Sequence, residues 1–245
     1  MTDRTGVRRE WLNDSYFLYV SEAYPLQTDA LLLARFARLP DGGRACDLGT
    51  GCGAVPFVWC SEGVQIQIDG VERQPEAAAL ARRTAAENGW THVAIHTGDW
   101  RALPACLPAE GYSLVTCNPP YFPAGSGPAC RSPAGRLSRF EYGPSLLADL
   151  AGAAGYLLRQ GGSFCLCHRP ERLADVFVAL RQAGLEPKRL QWVQQRADDA
   201  PWLFLLESKK GGRPGLRVLP PLRREGASFE TLTDLSGQPV PDPAV

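Results

Sequence analysis

The chain has 245 residues, 44% of them hydrophobic, with 26 Lys and Arg balanced by 26 Asp and Glu. That length is near the upper end for one domain and buries a full core. No run reaches the roughly 18 apolar residues of a membrane span, and Met1-Thr2-Asp3-Arg4 leads into no apolar stretch of the secretory kind, so a cytoplasmic protein with no membrane segment is expected.

After an N-terminal segment, 1–25, strand and helix patterns alternate. A helix is predicted over 26–39, capped by Thr28 or Asp29. A strand at 44–48 runs into Gly49-Thr50-Gly51-Cys52-Gly53, with a helix at 54–60 behind it. A strand follows at 66–71. An alanine-rich helix spans 75–88, with Pro75 in its first turn and Gly89 past its end. Strands at 92–97 and 112–117 come next. A helix over 144–158 is stopped by Gly161-Gly162, and a strand at 163–167 and a helix at 170–183 follow. Strands at 190–194 and 202–207 close the pattern with no helix between them. Such alternation predicts an α/β fold: a mainly parallel sheet with helices on both faces and an antiparallel last strand. The domain is expected over 26–208, with 209–245 as a basic, then acidic, extension that frays after Gly226.

Charge is uneven along the chain. Residues 1–120 carry 10 basic and 14 acidic groups, 121–224 carry 16 and 8, and 225–245 carry none and 4. A basic half beside a cofactor-binding half suits a polyanionic substrate, although a solvated surface explains the same numbers. The eight cysteines read as reduced core thiols, because a chain this rich in regular structure needs no staples. No paired Cys-x-x-Cys exists and the only histidines are His92, His96 and His168, so no metal site is expected.

The segment Asp47-Leu48-Gly49-Thr50-Gly51-Cys52-Gly53 follows a strand and opens a helix, so its glycines let the backbone turn tightly beside a ligand. Asp47 argues against a dinucleotide, whose pyrophosphate it would repel at the helix N-terminus. Glu72 ends the second strand, where a carboxylate can accept from two ribose hydroxyls. Asp99 and Trp100 follow the third strand and could meet an adenine's amino group and ring face. Together Asp47, Gly49, Gly51, Gly53, Glu72, Asp99 and Trp100 are the candidate cofactor site, with a strand-end acid and a packed Trp as the bland readings of the last three.

The fourth strand ends in Asn118-Pro119-Pro120-Tyr121. An aryl or amide NH2 is a poor nucleophile because its lone pair is delocalised. Acceptors placed on its hydrogens, the Asn118 side-chain oxygen and the Pro119 carbonyl, favour a pyramidal nitrogen aimed at an electrophilic methyl group. The prolines hold those acceptors in place, and Tyr121, with Phe122, offers a stacking face. The chemistry is positioning plus fixed dipoles, with no strong base.

These motifs resemble those of class I amino-methyltransferases. The wider pattern includes Thr28-Asp29-Ala30-Leu31-Leu32-Leu33-Ala34 and Cys117-Asn118-Pro119-Pro120-Tyr121-Phe122. It continues through His168-Arg169-Pro170-Glu171-Arg172-Leu173 and Gly212-Arg213-Pro214-Gly215-Leu216-Arg217-Val218-Leu219-Pro220-Pro221-Leu222. Over about residues 15–224 it is similar to the tRNA1(Val) adenine-37 N6-methyltransferase family. The resemblance implies a Rossmann-like, seven-stranded fold, S-adenosylmethionine as cofactor, bound in part by Asn118, and a tRNA adenine beside the anticodon as target.

An adenine in a folded loop must be splayed out to react, and stacking on Tyr121 would return about 1–3 kcal/mol. The irregular segment 122–143, with Arg131, Arg136 and Arg139, reads as a lid over the site. Lys209, Lys210 and Arg213, with Arg217, Arg223 and Arg224, form a second basic cluster suited to phosphates. His168 and Arg169 end the fifth strand near the same edge. The motif alone does not choose the substrate. A protein glutamine amide, a guanine N2 of ribosomal RNA, a non-catalytic RNA-binding subunit and a nicotinamide dehydrogenase stay open at this point.

Overall fold

A computed structural model describes residues 6–103, 105, 107–121 and 145–223. Its strands are β1 (Arg8–Trp11), β2 (Phe17–Val20), β3 (Arg44–Leu48), β4 (Gln67–Glu72), β5 (Val93–Thr97), β6 (Tyr112–Cys117), β7 (Leu158–His168), β8 (Leu185–Gln194), β9 (Leu203–Lys210), β10 (Arg217–Val218) and β11 (Leu222–Arg223). The helices are α1 (Thr28–Phe36), α2 (Ala54–Ser61), α3 (Pro75–Glu87), α4 (Leu146–Leu157) and α5 (Leu173–Gln182). The main sheet has the order β8-β9-β7-β6-β3-β4-β5, and the two-residue strands β10 and β11 pair with the free edge of β8. All of these pairings are parallel except those of β9, which runs antiparallel to both β7 and β8. The expected mainly parallel sheet with a reversed last long strand is therefore present.

Alternation along each strand builds two cores. Ala45, Leu114, Cys165, Cys167, Leu203 and Leu205 face α1, α2 and α3. Cys46, Leu48, Val115, Phe164, Leu166, Phe204 and Leu206 face α4 and α5. Helix α2 is apolar all round and buried from Ala54 to Cys60, whereas α5 buries only Val176, Ala179 and Leu180 on one stripe. Each fully buried Leu or Phe contributes about 1.5–3 kcal/mol. The six described cysteines are free, buried thiols.

The structure differs from the sequence expectations in four places, the first being that the N-cap of α1 is Gln27, with no side chain capping it, and not Thr28 or Asp29. Gly161 and Gly162 do not stop a helix. The chain passes from α4 straight into β7 at Leu158, and the glycines lie in an irregularity where β7 slips against β6 between the pairs Tyr112–Leu158 and Leu114–Ser163. The N-terminal segment holds an antiparallel hairpin, β1–β2, anchored on α3 by the Tyr19 N–H to Thr84 Oγ1 bond of 2.9 Å. Strands β8 and β9 are longer than expected, and β9 carries Lys209 and Lys210 at its far end. The segment 122–143, Arg224 and the acidic end lie outside the described residues.

Candidate active site

Strand β3 pairs with β4 on one side and β6 on the other, so chain order reverses across it and a crevice opens beyond the carboxyl ends of these strands. There the structure has an open cleft of about 1130 Å³, its mouth included. Asp47, Gly49, Gly51, Glu72, Asp99 and Trp100 line it, together with Asn118 and Pro120 from across the crevice. The rest of the wall includes residues that sequence reasoning missed, among them Tyr24 and Gln27 ahead of α1, and Gln74 after β4. Tyr24 Oη donates to Gln74 Oε1 at 3.3 Å, which closes that wall. Nothing in the Tyr24–Gln27 stretch advertises a ligand, and only its position before the Thr28-Asp29 motif could have suggested it.

The glycine turn is held from below. The N–H groups of Gly49 and Thr50 donate to Val71 O at 2.8 and 3.1 Å, tying the turn to β4. The Trp100 ring covers Gly49, where a Cβ would stand 2.9 Å from it. Gly51 has φ +59°, and a Cβ there would enter open space. Gly53 does not line the cleft. It leads into α2 with φ +90°, and the Phe57 ring occupies the place of a side chain.

Two carboxylates sit under this turn. Glu72 is buried, and its oxygens accept from the N–H groups of Gly51 at 2.9 Å and Gln74 at 2.7 Å. A carboxylate offers about four acceptor positions, so capacity remains beyond its backbone partners. Burial raises the Glu72 pKa, and the backbone N–H groups of Gln74, Gly51 and Arg73, with the Arg73 charge, partly offset that. Asp47 is 2% exposed and accepts from Thr116 Oγ1 at 2.7 Å. Burial pushes its pKa up to about 7, the Thr116 hydroxyl opposes the rise, and the charge of Glu72 adds to it. Asp99 is already engaged: Arg101 holds both its oxygens, Nη2 to Oδ2 at 2.6 Å, and keeps its pKa low.

These features fit S-adenosylmethionine. Two buried carboxylates favour a cationic ligand, a bare backbone turn admits its close approach, and Glu72 has acceptor capacity left for ribose hydroxyls.

The Asn118 amide reaches the cleft from the end of β6. Tyr121 Oη donates to Asn118 Oδ1. Cys167 Sγ lies 3.1 Å from the same oxygen and 3.3 Å from Tyr121 Oη. Burial raises the pKa of Asp29, at the start of α1, and the nearby Tyr121 hydroxyl and Arg169 charge oppose the rise. Tyr121 thus sends its hydroxyl inward and is not part of the cleft wall, and Pro119 is buried.

His168 is 0% exposed, stacked on Phe204 and edge-on to Tyr121. Burial, with Arg172 and Arg169 nearby, pushes its pKa down to about 3, so it is a neutral core residue and does not reach the cleft. Lys209, Lys210 and Arg213 are not beside the site either. Strand β9 runs away from it, and Lys210 Nζ binds Glu110 and the Leu158 carbonyl at 2.9 and 2.8 Å. At about 3.3 Å per residue, Lys210 is some 23 Å along the strand from Leu203. Phe122, Arg131, Arg136 and Arg139 lie outside the described residues. Among the described residues no group of three His, Cys, Asp or Glu side chains converges to hold a metal ion, and no helix is long and apolar enough to cross a membrane.

Residues 26–127 match the methyltransferase small domain family. The tRNA1(Val) (adenine(37)-N6)-methyltransferase of Dickeya chrysanthemi (strain Ech1591) is 32% identical over 209 residues, 84% of this chain and 75% of that protein. The release factor glutamine methyltransferase of Escherichia coli (strain K12) is 36% identical over 121 residues, 48% of this chain but only 42% of that protein's length. A predicted O-methyltransferase, protein Atu636 from Agrobacterium tumefaciens, shares the fold with a TM-score of 0.68 at 22% identity, covering 87% of this chain and 98% of that one. The chain belongs to the tRNA1(Val) (adenine(37)-N6)-methyltransferase family of class I S-adenosylmethionine-dependent methyltransferases.

Proposed function

We propose that the protein methylates the exocyclic N6 of an adenine in tRNA. The observation that carries this reading is the meeting of Asn118 with Asp47, Gly51 and Glu72 on one cleft. The Asn118 amide stands opposite a site built for a cationic nucleoside. When bound, S-adenosylmethionine supplies an electrophilic methyl group on a sulfonium centre. Asp47 would receive its ammonium, Glu72 its ribose hydroxyls, and Trp100 would close the turn beside its adenine. Asn118 would orient the target amine. The proton released after transfer can pass to water, which agrees with a buried, neutral His168.

The adenine target is supported by the relative that matches over most of both chains. The shorter match to a release factor enzyme favours a glutamine amide, which needs the same two-acceptor geometry. For an RNA, phosphates beside the cleft would meet the carboxyl edge of the sheet. Arg169 follows β7 there, and Arg223 pairs beside Gln194 at the end of β8. Lys209, Lys210 and Arg213 have no place in that contact. Incubation of unmodified tRNA or a release factor with methyl-labelled cofactor tests the reading. Label in RNA supports it, and label only in protein replaces it with the amide reaction.

A further inference from the structure

Residues 21–27 join β2 to α1 and belong to no strand or helix. Both ends of this segment are fixed. Upstream, the hairpin is held on α3 by the Tyr19 N–H to Thr84 Oγ1 bond and by Asn88 Nδ2, which donates to Phe17 O at 2.9 Å. Downstream, Gln27 opens α1. Between them Ser21 and Tyr24 close a turn, with Ser21 N donating to Tyr24 O at 3.3 Å and Tyr24 N to Ser21 O at 3.2 Å. Ala23, Tyr24, Pro25 and Gln27 make one wall of the cleft, and Arg73 and Gln74, just past β4, belong to another. Tyr24 Oη joins the two walls by donating to Gln74 Oε1 at 3.3 Å. Gln74 is itself tied by its N–H to Glu72 Oε1 at 2.7 Å, so this bridge stands beside the acid assigned to the ribose. Glu72 and Asp47 are only 6% and 2% exposed. Groups so little open to water meet a nucleoside only when part of the wall gives way.

We propose that residues 21–27 are a strap across the mouth of the cofactor cleft, with the Tyr24–Gln74 hydrogen bond as its latch: the strap lifts to admit or release S-adenosylmethionine and latches again over it. The segment suits that task. Its turn bonds are at the long end of the hydrogen-bond range, and a short stretch outside the sheet opens at far less cost than the strands beneath it. Its anchors belong to the core, where Leu18, Val20, Leu32 and Leu33 are buried, so a lifted strap returns to one place. The latch partners are matched. Burial, with the charges of Glu76 and Glu72, raises the Tyr24 pKa, so the hydroxyl keeps its proton and stays a donor. Gln74 Oε1 can only accept. A lid of this kind sets how fast a ligand enters and leaves without setting how tightly it is held, provided the latch is the same with and without the ligand.

The proposal rests on S-adenosylmethionine occupying this cleft and not on the choice of methyl acceptor, so its test needs no RNA. Rapid-mixing and chase measurements with methyl-labelled S-adenosylmethionine give the association and dissociation rates of the full chain. Tyr24→Phe removes the latch donor and keeps the ring, and thermal unfolding checks that the variant is folded. Loss of one neutral hydrogen bond should raise both rates by the same factor, about two- to tenfold, and leave Kd within about twofold. Gln74→Ala should do the same, since the backbone N–H that binds Glu72 is kept. The double variant should be no faster than either single one, because both remove one interaction. Faster dissociation with unchanged association, and a Kd weakened to match, overturns the proposal and makes Tyr24 a direct cofactor contact. Factors that multiply in the double variant overturn it as well. Unchanged rates in Tyr24→Phe also overturn it, and if Glu72→Gln then binds the cofactor as tightly as the wild type, the placement of the cofactor fails with it.

Discussion

Thr116 Oγ1 donates to Asp47 Oδ1 at 2.7 Å, one hydrogen bond between adjacent parallel strands to a carboxylate that is 2% exposed. Neutral hydroxyls, those of Thr116 and Thr50, do not replace lost hydration, so burial lifts the Asp47 pKa to about 7. The folded protein therefore binds a proton that the unfolded chain releases near pH 4. The contribution of Asp47 to stability without cofactor should fall as pH rises from about 4 to 7 and level off above that. The gap is worth roughly 4 kcal/mol at most.

Asp47→Asn keeps the Thr116 bond and removes the charge. At pH 8 and without cofactor, the variant should be more stable than the wild type by about 1–4 kcal/mol, and the difference should shrink toward pH 5. Its affinity for S-adenosylmethionine should fall about 10- to 100-fold through loss of the ammonium contact. Denaturant melts at the two pH values and calorimetry check this. A variant less stable than the wild type at pH 8 would contradict the burial argument.

Glu72→Gln leaves one carbonyl to hold the turn and weakens the ribose contact. S-adenosylmethionine affinity should drop about tenfold or more, at about 1.5–3 kcal/mol for each charge-assisted bond, while tRNA binding stays unchanged. Equal losses for both ligands in calorimetry would mean that Glu72 supports the whole fold of the turn.

Double neutralisation of Arg169 and Arg223 should weaken tRNA binding and lower its log–log salt slope by about 1.4–1.8 units, at 0.7–0.9 for each phosphate contact. Neutralising Lys209, Lys210 and Arg213 together should leave the slope within about 0.5. Filter-binding titrations distinguish the two edges, and the reverse result would place the RNA on the far side of the sheet.

That contrast shows what the sequence carries and what it omits. Strands β3 and β6 have the bounds expected from their apolar runs, because both are buried on two faces and the residues beyond them must turn. The glycine turn and the Asn118 motif sit where the chemistry of those residues points. The reversal of the last long strand was legible, but its extension through Lys210 was not. Lys209 and Lys210 read as a basic cluster next to a catalytic domain, but the reversal of β9 takes them to the opposite edge. His168 shares the parity of Phe164 and Leu166 on β7, which predicts a core-facing ring once the strand's length is known. Strand β2, Phe17–Val20, is four hydrophobic residues with no period to read, and it becomes a strand only through pairing with Arg8–Trp11.

Asn118→Ala tests the catalytic assignment. Loss of one fixed acceptor should lower kcat about 100- to 1000-fold, by comparison with loss of an oxyanion-hole donor, while cofactor affinity stays within about threefold. Stopped-time assays with saturating cofactor measure it, and near-normal turnover would remove Asn118 from the mechanism.

The central claim is tested most directly by mass spectrometry of nucleosides from unmodified tRNA incubated with the protein and S-adenosylmethionine. The account predicts N6-methyladenosine with the wild type and almost none with Asn118→Ala. N2-methylguanosine, or unmodified tRNA beside a methylated release factor glutamine, would contradict it.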